Sequence, residues 1–149
     1  MITERERQIL RWIEDNPLIS QQELADALGI APLAKMLHIC GEGVEPEVMG
    51  LGPAVAIPKC LKAVGLAFED VDYWEVNEAF AAQCIACQRE LGIDPDKLNV
   101  NGGGISLGHP VGATGSRIVI SLMYEMMRRK NRYGLATLCA GGGMGTAVV

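Results

Sequence analysis

The glycines of this chain are bunched, and the bunches fall where strand-like runs end. Eighteen glycines occur in 149 residues, and two stretches concentrate them: residues 102–115, GGGISLGHPVGATG, and residues 139–145, CAGGGMG. Glycine lets the backbone turn sharply and approach a neighbour closely, so each stretch marks a loop between elements. Residues 98–100 read as a strand entering the first stretch. Residues 135–140 and 144–149 are strand-like runs around Gly141, Gly142 and Gly143, a hairpin signal. Upstream, residues 71–76, with Tyr73 and Trp74, read as a short strand and residues 79–91 as a helix. Residues 116–129 carry Ile118, Val119, Leu122, Met123 and Met126 at helical spacing. They end in Arg128 and Arg129, followed by Lys130, which suit the negative end of a helix dipole. Strands alternating with helices and finishing in a hairpin predict an α/β fold: a mixed β-sheet covered by helices.

Before residue 31 the chain has another character. Thr3 with Glu6, and Ser20 with Glu23, are two copies of the S/T-x-x-E capping box, each ahead of apolar periodic residues. Two short helices are predicted. Ile9, Leu10 and Ile13 share a face of the first, which Pro17 ends; Leu24, Ala25 and Leu28 share a face of the second, with Gly29 as its C′ residue. The expected division is therefore a helical appendage over residues 1–30 and a domain over residues 31–149. TERERQIL and NPLISQQELADALGI resemble the opening of a winged-helix or helix-turn-helix domain. A recognition helix should follow, but Pro32 intervenes, and residues 33–39 could supply one or two further helical turns at most. Three arginines face six carboxylates within residues 1–30, a net charge of −3. Phosphate contacts dominate affinity for nucleic acid, so DNA is not an expected partner.

Composition narrows the function classes further. The formal net charge is −5, 49% of residues are hydrophobic and 21% charged, which excludes fibrous and disordered classes. No apolar run reaches the length of a membrane span, and MITERERQIL lacks the apolar core of a signal peptide. Cytoplasmic residence without membrane attachment is expected. Five cysteines in a chain able to build its own core are expected to be free thiols. Cys84-x-x-Cys87 falls inside an apolar helix and reads as a pair of buried spectators, as do Cys40 and Cys60. With only His38 and His109 available no metal site is expected, and no Walker or dinucleotide-binding pattern is present.

Three polar islands follow predicted strands. Asn77 and Glu78 open a helix directly after YWEV, where an amide and a carboxylate can hold a water or cap the helix. Gly102 to Gly115 contains His109, which Pro110 biases toward an extended conformation, so the imidazole is presented by a constrained turn. Cys139 faces three glycines whose backbone N–H groups could stabilise an anion.

In family order and spacing, GVEPEVMGLGPAVAIPKCL, VNEAFAAQ, NVNGGGISLGHPVGATGSR and LATLCAGGGMG resemble the C-terminal half of the thiolases. The resemblance implies a thiolase-like half fold, and an activity that joins or splits acyl groups at the α-carbon of acetyl-CoA through an acyl-enzyme. It implies that Cys139 is the acid/base thiol, a duty a thiol suits because nearby dipoles can pull its pKa toward neutrality. His109 would activate the nucleophile and donate to the thioester oxygen as it becomes an enolate. Asn77 would hold a water that donates the second hydrogen bond, and the Gly141 N–H would serve the other oxyanion hole. Met49 would line the acyl and pantetheine pocket, with Phe80 of NEAF also on the substrate side. No cofactor is implied; a coenzyme A thioester is the substrate.

This sequence departs from the family pattern in places. Gly104 and Ser106 stand where alanines are common, a change expected to loosen the loop. Pro58 is expected to mark where the helix after Pro53 begins. The resemblance also implies that the nucleophilic cysteine and most of the CoA-binding loop belong to a half not present, since Cys40, Cys60, Cys84 and Cys87 lie in no matching context. The isolated chain is then expected to be inactive unless completed by an N-terminal thiolase half, and to self-associate so as to cover apolar faces such as residues 79–91. The alternative is a catalytically inactive regulatory or interaction protein carrying a helix-turn-helix-derived module.

Overall fold

A computed structural model describes residues 3–149, and the chain divides into two compact units, Met1–Lys35 and Met36–Val149. The smaller unit holds α1 (Glu4–Asp15) and α2 (Gln21–Ala27). Both capping boxes form. Thr3 N–H donates to Glu6 at 2.5 Å and Glu6 N–H returns to Thr3 Oγ1 at 3.2 Å; Ser20 and Glu23 do the same at 2.9 and 3.2 Å. These bonds hold both glutamate carboxyls below their ordinary range, the backbone N–H of each N-cap residue being the larger cause. Gly29 takes the left-handed conformation (φ 63°) that ends α2. Leu24, Ala25 and Leu28 are half-buried, Leu10 and Ile13 exposed. The helical turns expected over residues 33–39 do not form. Leu37 and His38 donate instead to Val149 O, and Ile39 begins a strand, because the free edge of the sheet offers these backbone groups partners that a lone turn cannot.

In the larger unit, β1 (Ile39–Gly43) is followed by a 3₁₀ turn (Pro46–Leu51), α3 (Gly52–Ala63), β2 (Tyr73–Val76), α4 (Ala81–Leu91), a single turn α5 (Gly104–Leu107), α6 (Thr114–Arg129), β3 (Gly134–Ala140) and β4 (Met144–Val148). The sheet order is β1-β4-β3-β2, with β2 and β3 parallel and the other pairs antiparallel. This is the predicted mixed sheet, and the predicted hairpin is β3–β4, turned by Gly142 and Gly143 at φ 88°.

Alternation along the strands divides the core into two layers. Trp74, Val76 and Leu135 pack with Ala56, Ile57, Cys60 and Leu61 of α3 and with Cys84 and Cys87 of α4. Tyr73 and Ala136 pack with Ile118 and Leu122 of α6. β2 is buried on both faces, as a parallel strand between helix layers must be.

Several local expectations change. Residues 98–100 form no strand; a single parallel bridge joins Leu98 to Trp74. Asn99 turns left-handed (φ 48°), and its side chain does the pairing, accepting from Val76 N–H at 2.9 Å and donating to Val76 O at 2.8 Å. Pro58 lies inside α3 rather than at its start, which is Gly52 with Pro53 in the first turn. Pro58 is exposed, and its missing N–H leaves the carbonyl of half-buried Ala54 without its helical partner. Exposed apolar surface lies on α6, at Ile120, Tyr124 and Met127, more than on α4, where Ile85 alone of the large apolar residues is exposed. All five cysteines are free thiols; Cys60, Cys84 and Cys87 are buried and Cys40 half-buried. No helix among the described residues is long and apolar enough to cross a membrane.

Candidate active site

The C-terminal ends of the parallel strands β2 and β3 gather the polar islands, the position where open α/β sheets place ligands. Asn77 is the first residue beyond β2 and is almost fully buried, its N–H donating to Thr137 O of β3 at 2.9 Å. Continuing the alternation of β2 turns its side chain toward α6. There Asn77 Nδ2 lies 3.4 Å from His109 Nε2. His109 Nδ1 lies 2.7 Å from Thr114 Oγ1, and Thr114, the first residue of α6, is wholly buried. Thr114 also reaches Pro110 O at 3.0 Å, and the N–H groups of Ala113 and Thr114 close the turn onto the same carbonyl at 2.8 and 2.9 Å. The constrained turn expected around His109 is therefore built from the start of a helix.

Asn77 Oδ1 is buried with no hydrogen-bond partner among the described residues. An unpaired carboxamide oxygen in a polar setting is a place where a water or substrate hydrogen is needed. α4 begins at Ala81 with Phe80 as its N-cap, so Asn77 and Glu78 stand ahead of the helix and Glu78 does not cap it. Its carboxylate reaches across to accept from Ile105 N–H of α5 at 3.0 Å and from Asn99 Nδ2 at 3.2 Å. The 102–108 loop is accordingly not loosened by Gly104 and Ser106. A methyl at Gly104 would stand 2.5 Å from Glu78 O, one at Gly103 2.5 Å from Glu78 Cδ, and Ser106 Oγ accepts from Gly103 N–H at 3.2 Å. The loop is packed directly on the backbone that carries Asn77.

Beneath this group the polar chain continues into the α6 layer. Glu75 is buried and accepts from Tyr73 OH at 2.6 Å. Burial pushes its carboxyl above the ordinary range, against the opposing pull of the Tyr73 hydroxyl and the Arg117 charge. Burial, with Glu75 next to it, pushes the Tyr73 hydroxyl up as well. The three guanidinium nitrogens of Arg117 are buried without hydrogen-bond partners among the described residues. Further along α6, Glu125 is held down to about 2, chiefly by the hydrogen bond from Arg128, with Asn101 and Arg129 adding to it.

Cys139 stands at the neighbouring strand end, opposite Gly145 in the hairpin register, and is half-buried. Alternation turns it to the other face of the sheet, toward α4, whose Cys87 thiol is pushed up chiefly by burial, with Cys139 adding to it. Among the described residues Cys139 makes no hydrogen bond to Asn77 or His109, so the structure joins those two and leaves the thiol on the neighbouring strand end, on the opposite face. Burial pushes the Cys139 thiol up, and a backbone hydrogen bond only partly offsets this; the expected pull toward neutrality does not prevail. Gly141 faces open space: a methyl there would meet nothing within 4 Å. Met49 is half-buried in the 3₁₀ turn whose neighbour Gly50 accepts from Cys87 Sγ at 3.1 Å. Phe80 is 60% exposed at the N-cap of α4, its ring outside the core.

Sequence reasoning missed Thr114, Asn99 and the reach of Glu78. Thr114 could have been found from the H-P-x-x-x-T spacing, which brings a hydroxyl on the first turn of a helix back to the imidazole. Asn99 and Glu78 left no such local signal.

A model of the thiolase C-terminal domain matches residues 30–149, and one of a winged helix-turn-helix DNA-binding domain matches residues 2–34. The chain is 54% identical over 132 residues to the 3-ketoacyl-CoA thiolase of Bacillus subtilis, an alignment covering 89% of this chain and 34% of that protein. The Bacillus anthracis acetyl-CoA acetyltransferase structure superposes with a TM-score of 0.83 at 48% identity, covering 87% of this chain and 33% of that one. The human mitochondrial 3-ketoacyl-CoA thiolase in complex with CoA does so at 0.83 and 45% identity, covering 85% and 32%. The chain spans about a third of the length of the curated relatives it matches.

Proposed function

This chain belongs to the thiolase family, and from that premise we propose that its larger unit supplies the proton-transfer thiol and one oxyanion pocket of an acyl-CoA acyltransferase. The observation that carries the reading is the Asn77 carboxamide, whose Oδ1 is buried and unpaired among the described residues while its Nδ2 lies 3.4 Å from His109 Nε2. A water accepted there would keep its second hydrogen for an oxygen anion, next to the imidazole.

In condensation, the Cys139 thiolate removes a proton from the acetyl methyl group of a CoA thioester. The C–H electron pair moves into the enolate, whose oxygen is held by His109 and the Asn77-bound water. The enolate carbon then attacks an acyl group carried on a nucleophilic cysteine, which leaves as thiolate. In cleavage, the Cys139 thiol returns the proton to the same carbon. Because burial disfavours its thiolate, Cys139 rests as the acid. The Gly141 N–H, beside Cys139, would serve the tetrahedral intermediate of acyl transfer. Met49 and Phe80 would meet the pantetheine and acyl portions. No cofactor beyond the CoA thioester takes part. The acylated nucleophile is assigned to the part of a thiolase-length protein that these 149 residues do not align with, since Cys60, Cys84 and Cys87 are buried and unsuited to it.

The test is acetoacetyl-CoA thiolysis by the purified 149-residue polypeptide, with and without an added N-terminal thiolase half. The expected result is no turnover alone, turnover with the added half, and its loss by Cys139→Ala. Turnover that survives Cys139→Ala would overturn the reading.

The winged-helix match at residues 2–34 favours a second reading, a regulatory module joined to this unit. The acidic balance and the absence of helix over residues 33–38 count against duplex reading. A salt-dependent, sequence-selective gel shift by residues 1–35 would establish it; none is expected.

A further inference from the structure

We propose that Thr114 is a positioning residue that fixes His109 as its Nδ1–H tautomer, so that the Nε2 lone pair faces Asn77. The inference deepens the thiolase reading and rests on it for what Nε2 does, whereas the hydrogen-bond argument stands on this chain alone.

A neutral imidazole has one N–H and one lone pair, and which nitrogen holds the proton depends on its neighbours. A threonine hydroxyl has a single proton to give. Thr114 Oγ1 sits between His109 Nδ1 at 2.7 Å and Pro110 O at 3.0 Å. Pro110 O, which already accepts the N–H groups of Ala113 and Thr114, can only accept, and the hydroxyl proton assigned to it makes the back-bond that threonine commonly forms four residues up a helix. The hydroxyl lone pair is left to accept Nδ1–H. The other edge of the ring agrees independently: Asn77 Nδ2 can only donate, and at 3.4 Å from Nε2 it requires that nitrogen to be bare. Thr114 is wholly buried, so water does not compete for its hydroxyl.

The consequence for chemistry is directional. A bare Nε2 can take the proton of a nucleophilic thiol. The imidazolium so formed carries a proton on both nitrogens, and Nε2–H can then donate to an oxygen anion. The opposite tautomer could donate from the start but could not accept. Thr114, without touching substrate, thus lets His109 perform base and oxyanion duties in that order.

The measurement is long-range ¹H–¹⁵N correlation on the ¹⁵N-histidine-labelled chain at alkaline pH, where imidazoles are neutral. The sequence has only His38 and His109, so His38→Gln assigns both. His109 is expected to show a pyrrole-type Nδ1 and a pyridine-type Nε2, in a ratio of about thirty to one, as two hydrogen bonds of ordinary net strength provide. Thr114→Val should shift the ratio toward Nε2–H, and Thr114→Ser should retain the wild-type spectrum. A pyridine-type Nδ1 in the wild type, with Asn77 turned over to accept from Nε2–H, would overturn the proposal, as would a Thr114→Val spectrum unchanged from wild type. Should Thr114→Val fail to fold, the wild-type and Thr114→Ser spectra decide. No substrate is present, so the tautomer can fail while Cys139-dependent thiolysis succeeds, or the reverse.

Discussion

Replacing Gly145 by alanine should damage this domain out of proportion to one methyl group. Gly145 lies opposite Cys139 in the β3–β4 hairpin, with its Cα against the backbone at the start of α3. An added Cβ would stand 2.6 Å from Gly52 Cα, and closer still to the carbonyl carbon and oxygen of Gly52, where ordinary contact begins at 3.4 Å. The obstacle is backbone on both sides, so no side chain can swing away. β4 and α3 must separate by roughly 1 Å, an overpacking that costs about 1–3 kcal/mol in a closed core and belongs here at the upper end. With a urea slope of about 1–3 kcal/mol/M for small proteins, the unfolding midpoint should fall by about 1 M or more. Urea titration followed by tryptophan fluorescence reads this directly, since Trp74 is buried in the layer that would open. Gly141→Ala is the control: its methyl meets nothing within 4 Å, and its effect should stay within about 0.5 kcal/mol. Equal midpoints for the two variants would refute the packing argument.

Three further outcomes are expected. Because burial raises the Cys139 thiol, its alkylation by iodoacetamide should be slow at neutral pH and climb about tenfold per pH unit past the usual thiol range, as read by mass spectrometry of its peptide; a plateau below that range would contradict the burial effect. Glu125, held down to about 2 in the folded state against 4.5 unperturbed, contributes stability that is complete above the unfolded carboxyl's range and lost as pH falls toward 2; Glu125→Gln should flatten the acid limb of a melting-temperature profile, and an unchanged limb would exclude this residue as its source. The exposed apolar side chains of α6, Ile120, Tyr124 and Met127, should drive self-association; light scattering showing a monomer across micromolar concentrations, with no binding of an apolar-surface dye, would refute it.

What the sequence determined by itself is what neighbouring residues decide among themselves. Thr3 with Glu6 and Ser20 with Glu23 form their boxes because three residues separate each pair on one helical turn. Helix α6 follows from apolar spacing, and the β3–β4 hairpin from glycines that accept φ near 88°. The three polar blocks around Asn77, His109 and Cys139 are local too, and family resemblance could attach roles to them. Tertiary structure decided everything that depends on long loops closing. The strand at residues 39–43 exists because β4 offers an edge to it, a partner more than one hundred residues away. Leu98 to Val100 failed as a strand because Asn99 satisfies Val76 with its side chain instead of its backbone. Gly104 does not loosen its loop, because Glu78, 26 residues earlier, packs against it. Asn77 meets His109 across 32 residues, while Cys139, on an adjacent strand end, faces the other side of the sheet. Period and spacing fix the direction of a side chain relative to its own element. Which group it then meets, and hence the imidazole's tautomer and the thiol's burial, is set only when the sheet brings distant strand ends together.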